Sequence, residues 1–367
     1  MVITVKTFVS DGGEGRAGSN WDWRRATVQY NFALSTIIES MPDTTAPTPL
    51  HVVGRFDNPY TGAERSLPDL AAGLRGRRET QLWSDVPPDP VFVEQGVRAI
   101  RPFAQEYPRG GMLLIGGVHV QLGPWLEYAQ PERIALRYNL PNHLRLFEAI
   151  ARIRAATGID PELIFVSRAI QLSVGLPGRV EPSLIKLDDY LKLPVERVSG
   201  APVTVGRVSR DVIEKHDPQD VALYRMLAAR GVRVRIMGGT CLGRWLQDVP
   251  GVELLPVGAE EVTRFLGSLD IFFYRTGTFT EPYGRVVLEA MAAGLPVVVA
   301  ANGGYVEQIS PGVEGFPIRG QEEAIHVLQR LVQSAALRQQ VGTAARARAI
   351  AVHGPAAMSR MLENYAT

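Results

Sequence analysis

Two carboxylates separated by seven residues carry the clearest chemistry in this chain. Glu281 and Glu289 bracket Pro282-Tyr283-Gly284-Arg285-Val286-Val287-Leu288, and Ala290-Met291-Ala292-Ala293-Gly294-Leu295-Pro296 follows. Proline suits the first turn of a helix and glycine its C-terminal end, so a helix is expected from about residue 282 to Gly294. At 1.5 Å per residue the carboxylates then lie roughly 12 Å apart along it. Amides at a helix start attract an anion such as phosphate. Carboxylates would repel that anion and would grip hydroxyl groups on either side of it. Sugar hydroxyls, a pyrophosphate and ribose hydroxyls, in that order, are the layout of a sugar nucleotide.

The elements around this segment must hold it rigidly. Short apolar runs alternate with helical patterns. Strands are expected at 2–9, 50–54, 111–115, 134–138 and 163–166, and in a second series at 203–208, 232–237, 252–255, 271–274 and 296–300. Helices are expected at 26–41, 91–106, 143–156, 219–229, 259–268 and 284–293, and the tail from Gln321 reads as helices alone. Strands that are apolar throughout, separated by helices, indicate parallel sheets covered on both faces. The expected fold class is therefore α/β, with two Rossmann-like doubly wound domains facing across a cleft. Gly200-Ala201-Pro202 punctuates the best linker, giving domains at 1–197 and 198–345, with 346–367 free to pack back on the first. In open α/β sheets ligands sit beyond the carboxyl ends of the strands, so the loops there are where chemistry is expected.

Composition narrows the class. The chain has 367 residues, 46% hydrophobic and 21% charged, and a net charge of +1, which excludes extensive disorder and gives no basic surface for nucleic acid. One cysteine, Cys241, rules out an internal disulfide and fits a reducing compartment. No apolar run approaches the ~20 residues of a membrane span, and the N-terminus lacks a signal-peptide pattern. A cytoplasmic protein is expected, with membrane contact at most peripheral at the inner face of the plasma membrane.

The run from Glu281 to Val298 resembles the Glu-x7-Glu signature of retaining GT-B-fold glycosyltransferases, glycosyltransferase family 4 (group 1) in particular. The resemblance is strong over 203–315 and general elsewhere. It implies that Glu281 contacts the donor sugar, that amides from Tyr283 through Gly284 and Arg285 to Val286 meet sugar and phosphate, and that Glu289 binds ribose. Upstream, Gly206-Arg207 followed by Lys215 is similar to the family's Gly-Arg pair and lysine, both cations binding the diphosphate. Fixed positive charge there stabilises a departing nucleoside diphosphate. The lysine stands eight residues after the arginine, and Arg210 between them could replace either. Lys215 is one of only four lysines in an arginine-dominated chain. Gly238-Gly239 fits the family's glycine turn near the nucleotide. Gly303-Gly304 with Glu307 fits a helix start near the cleft, Glu307 either touching a ligand or supporting structure.

In the first domain the resemblance assigns Gly12 and Gly13 to a loop facing donor and acceptor, and His119, after a Gly-Gly-Val turn, to the donor sugar. Asn139 and His143 are weaker candidates; Arg16 reads as solvated, and Trp21, Trp23 and Trp125 as packing residues rather than acceptor platforms. The implied reaction moves a sugar from a nucleotide donor, such as a UDP- or GDP-sugar, to a hydroxyl of a glycan, lipid-linked or small-molecule acceptor, in bacterial glycan or glycoconjugate biosynthesis. No cofactor and no metal are implied, and the chain has no Asp-x-Asp pair. Three alternatives stand beside it: a GT-B sugar-nucleotide epimerase or hydrolase, a non-catalytic glycan binder, and a NAD(P)-dependent oxidoreductase. The last rests on Gly13-x-Gly15-x-x-Gly18, which lacks the immediate helix and the acidic residue ~20 positions later that the dinucleotide fingerprint requires.

Overall fold

A computed structural model describes residues 48–195 and 202–366. The strand expected at 2–9, the helix at 26–41, and Gly12, Gly13, Arg16, Trp21 and Trp23 lie outside the described residues, as does most of the expected linker.

The described residues form two all-parallel sheets. The first contains β1 (Leu50–Gly54), β2 (Thr80–Ser84), β3 (Val97–Ala99), β4 (Met112–Ile115), β5 (Arg133–Tyr138), β6 (Glu162–Phe165) and β7 (Arg179–Val180), in the order β3-β2-β1-β4-β5-β6-β7. The second contains β8 (Thr204–Val208), β9 (Arg233–Met237), β10 (Val252–Leu255), β11 (Ile271–Tyr274), β12 (Val297–Ala300) and β13 (Gly315–Ile318), in the order β10-β9-β8-β11-β12-β13. Register is tight at the centre: Val205 pairs with Val234 on one side and Ile271 on the other. Strands β4, β11 and β12 are buried along their whole length, as expected where helices cover both faces.

Each sheet reverses its winding once, between β1 and β4 in the first and between β8 and β11 in the second. At such a switch point the flanking loops diverge and leave a crevice beyond the strand ends. The loops after β8 and β11 carry Lys215 and Glu281. The helix that follows the β1 loop carries Glu64 in its first turn, and the loop after β4 carries His119.

One expected helix is corrected. Residues 91–106 form a short helix, Pro90–Val93, then β3 and a single turn at Pro102–Ala104. Gly96, at φ 88°, ends the helix, and Val97-Arg98-Ala99 pairs with β2. Its apolar residues mimic helical spacing, but tertiary pairing decides the outcome. The motif helix runs Arg285–Ala292, entered through Gly284 at φ 76°, three residues later than expected.

The last helix, Pro355–Ala366, returns to the first sheet. Met361, Leu362 and Tyr365 join the core formed by Leu50, Val52 and Leu114. The Tyr365 hydroxyl donates to Glu181 at 2.7 Å, and Glu181 pairs with buried Arg137.

Candidate functional site

The loops after β8 and β11 interlock. The amide of Gly277 donates to the carbonyl of Glu214 at 3.1 Å, and a Cβ on Gly277 would lie 2.6 Å from the carbonyl oxygen of His216. Lys215 ends a single turn, Ile213–Lys215. Its ammonium forms an ion pair with Glu281 and lies 3.5 Å from the centre of the Phe279 ring. The Tyr274 hydroxyl, at the end of β11, donates to Glu281 Oε1 at 3.1 Å. Burial pushes the Lys215 ammonium below its usual range; Arg210 and Arg207 act in the same direction and Glu281 opposes them. The cation is therefore held in a pocket of low polarity with one carboxylate partner. Arg210 is exposed, its guanidinium 5.8 Å from the Phe279 ring.

Arg207 departs from expectation. It is 0% exposed, and its guanidinium donates to the carbonyl of Arg275 at 2.7 Å and to that of Lys215 at 2.5 Å. It also lies 4.6 Å from the Tyr274 ring centre. Instead of facing the cleft, this arginine ties the two site loops together from behind, because its side chain projects into the interior from a strand buried on both faces.

Glu289 also departs from expectation. It is 1% exposed, beneath the helix, with Arg285 at 3.6 Å and Arg65 of the first domain at 3.9 Å. Its Oε1 has no hydrogen-bond partner among the described residues. Arg285 turns inward as well, donating to the carbonyl of Leu184. The second carboxylate of the motif thus belongs to a junction between the domains.

The remaining predicted residues are placed by tight turns. Gly238, at φ 78°, would bring a Cβ 1.8 Å from the carbonyl oxygen of Ser209, so only glycine lets the β9 turn press against the β8 loop. Gly238 and Gly239 both donate to the carbonyl of Leu255. His216 locks this turn through a 2.9 Å bond from its Nε2 to the carbonyl of Gly238, and burial lowers its pKa to about 3. Tyr283 is buried, and its hydroxyl shares a 2.6 Å hydrogen bond with His353 Nε2; Val286 is half-buried. Glu307 takes its structural alternative. Its carboxylate accepts from the amides of Arg168 at 3.0 Å and Ala169 at 2.6 Å, capping a helix of the other domain. Gly304 makes this possible, since a Cβ there would lie 2.0 Å from the carbonyl oxygen of Pro282.

In the first domain His119 stands beyond β4, 3.9 Å from Glu64. Asn139 donates to the carbonyl of Gly116 at 2.9 Å. His143 begins the helix His143–Thr157 on its exposed side, and Trp125 is a core residue. Sequence reading missed Phe279 and Tyr274, which shape the lysine pocket, and the loop after β1. Tyr60 of that loop reaches the second domain: a Cβ on Gly258 would lie 2.8 Å from its hydroxyl. A signal is present in the sequence, because the turn-forming run Asp57-Asn58-Pro59 and then Thr61-Gly62-Ala63-Glu64 follow the expected strand at 50–54. Among the described residues no three His, Cys, Asp or Glu side chains gather as a metal site, and no helix is long and apolar enough to cross a membrane.

Comparison with known proteins agrees with this architecture. Residues 253–348 match the family described as glycosyl transferases group 1. A D-inositol 3-phosphate glycosyltransferase of Stackebrandtia nassauensis is 30% identical over 214 residues, 51% of this chain and 42% of that protein. One from Salinispora arenicola is 36% identical over 90 residues, 24% and 20% of the two chains. The chain thus spans well under half the length of these curated relatives. Anabaena Alr3699/HepE, solved in complex with UDP and glucose, superposes with a TM-score of 0.69 at 18% identity, covering 87% of this chain and 99% of that one. WaaG, a glycosyltransferase involved in lipopolysaccharide biosynthesis, superposes at 0.61 with 15% identity, covering 86% and 99%. The fold is GT-B.

Proposed function

We propose that this chain is a retaining glycosyltransferase that moves a sugar from a nucleotide-sugar donor to an acceptor hydroxyl. The observation that carries the proposal is the Lys215–Glu281 pair at the switch point of the second sheet, backed by Tyr274 and Phe279. A diphosphate entering there takes Lys215, while a sugar hydroxyl takes Glu281. Both charges exchange one partner for another, so neither is left buried and unpaired, which would cost several kcal/mol. Arg207 positions both loops, and exposed Arg210 supplies further positive charge at the rim. Glu289 stands at the junction of the two domains beside Arg65 and Arg285.

The chemistry follows from these groups. The bond between the anomeric carbon and the diphosphate oxygen breaks, and Lys215 stabilises the charge that develops on the leaving oxygen. The acceptor oxygen bonds to the same face of the sugar, and its proton passes to the departing diphosphate. No metal is needed for this neutralisation. UDP bound in the Anabaena protein supports a uridine diphosphate sugar as donor, and the relatives named for D-inositol 3-phosphate support a hydroxyl-rich acceptor. A cytoplasmic place in bacterial glycan or glycoconjugate assembly is consistent with that chemistry.

The test is a thermal-shift panel of uridine, guanosine, adenosine and cytidine diphosphate sugars, followed by transfer assays with the donor that binds. Ligands of the native state raise its melting temperature. One donor should stand out, and both Glu281→Ala and Lys215→Ala should lower transfer by at least about 100-fold, the scale of removing a charge-stabilising group. Near-wild-type transfer by either variant would overturn the proposal.

A further inference from the structure

The switch point of the first sheet holds a second pair of ionisable groups. Glu64 lies in the first turn of the helix Gly62–Gly73, directly after the β1 loop, and is 3% exposed. Its Oε2 accepts from the amide of Asn58 at 3.2 Å. Its Oε1 faces His119 Nε2 at 3.9 Å. The imidazole is folded back over its own turn: a Cβ on Gly117 would lie 2.5 Å from the ring and 2.9 Å from Asn139 Oδ1. His119 keeps an edge to solvent, with 22% of its side chain exposed against 4% for Glu64.

The surrounding charges are unevenly arranged. Asp57 from the β1 loop and Asp85 beyond β2 face Glu64, together with the Thr61 hydroxyl. Arg55, Asp57 and Arg145 face His119. Burial pushes Glu64 up to about 7; Asp57 and Asp85 add to this, while Asn58 and Thr61 oppose it. Burial pushes His119 down, with Arg55 and Arg145 in the same direction and Asp57 against. Burial thus favours the neutral form of both groups, whose nearest atoms lie 3.9 Å apart.

We propose that Glu64 is a positioning residue for His119, and that the two exchange a single proton with solvent as one unit at the acceptor-side switch point. The proposal rests on the transferase reading only for its consequence. In that reading His119 presents either an N–H or a lone pair to the bound sugar, and Glu64 decides which. Protonated Glu64 leaves a neutral imidazole oriented by its neighbour; ionised Glu64 favours the imidazolium. Ionisable neighbours titrate in shared macroscopic steps where their interaction exceeds about one pK unit, which is what the titration below reads.

The test is an NMR titration of the histidine ring resonances in the full chain, with His119 assigned by its loss in His119→Asn. The wild-type His119 signal should show an inflection between about pH 6 and 8 that it inherits from Glu64. Glu64→Gln should abolish that inflection and Glu64→Asp should retain one. An identical His119 curve in wild type and Glu64→Gln would overturn the proposal. As a check independent of that variant's folding, the Glu64 carboxyl carbon should titrate at a different pH in His119→Asn than in wild type, and an unchanged value would also overturn it. With the identified donor, Glu64→Gln should shift the neutral limb of the kcat–pH profile while donor KM stays within about twofold. Because the titration needs no substrate, absence of transfer with intact coupling would refute the transferase reading and leave the pair standing.

Discussion

At the scale of single residues, the pairing of Lys215 with Glu281 has a measurable consequence. A nucleoside diphosphate without its sugar can claim Lys215 but leaves Glu281 charged beside the phosphates. Glu281→Gln removes that repulsion and frees the lysine. It should bind the nucleoside diphosphate about tenfold more tightly than wild type, roughly 1.4 kcal/mol, while losing sugar transfer. Isothermal titration calorimetry would show this, and weaker binding by the variant would count against the pair being the diphosphate site. Two buried histidines set a second expectation. Burial lowers His216 and His353 to about 3 each. Their folded pKa lies below the unfolded value of about 6.5, so the unfolded chain binds more protons as pH falls. Stability contributed by the neutral rings is complete above about 6.5 and is lost progressively toward 3. The melting temperature should fall across that window, and replacing both rings with Gln or Leu should flatten the fall; an unchanged slope would contradict it.

At the scale of elements, the glycines after β9 and β12 decide how closely loops approach. Gly238→Ala combines a left-handed backbone with a 1.8 Å clash against a carbonyl oxygen. It should destabilise the chain by more than the roughly 1 kcal/mol typical of Gly→Ala at positive φ, and should weaken nucleotide binding by opening the turn against Ser209; chemical denaturation and calorimetry on the purified variant check both. The elements also show where sequence was informative. Every strand expected between Leu50 and Ala300 is present, because buried parallel strands write themselves as unbroken apolar runs. Strands β2, β3, β7 and β13 escaped notice: β3 and β7 are short, and Thr80-Gln81 and Pro317 break the apolar pattern in the other two. Glu281 and Lys215, singled out by their spacing and their neighbours, meet in an ion pair. The inward turn of Arg207 and the burial of Glu289 were not legible, since a motif gives the backbone position of a side chain and not the partners that compete for it. Arg65, which meets Glu289, lies far away in sequence and in the other domain.

At the scale of the whole molecule, the two halves share an apolar cluster in which Val166, Ile185, Leu187 and Tyr190 meet Tyr283, Val287 and Met291, and single polar side chains reinforce it. Glu307 caps the helix Arg168–Val174, Arg285 holds the carbonyl of Leu184, and Arg65 faces Glu289. The last helix, seated on the first sheet, returns the chain across the same boundary. Glu307→Ala removes two charge-assisted bonds to amides and should cost about 1–3 kcal/mol, seen as a lower denaturation midpoint; a midpoint equal to wild type would show that the cap contributes nothing. In the proposed reading the two switch points divide the labour, one for the activated sugar and one for the Glu64–His119 pair. The central claim is that Lys215 and Glu281 separate to receive the two parts of the donor. A crystal structure of the full chain with its uridine diphosphate sugar, or the donor the panel selects, tests this most directly. The account expects the Lys215 ammonium about 3 Å from a diphosphate oxygen and Glu281 accepting from a sugar hydroxyl, at ordinary hydrogen-bond lengths. A bound donor with the Lys215–Glu281 pair intact and the diphosphate held elsewhere would contradict it.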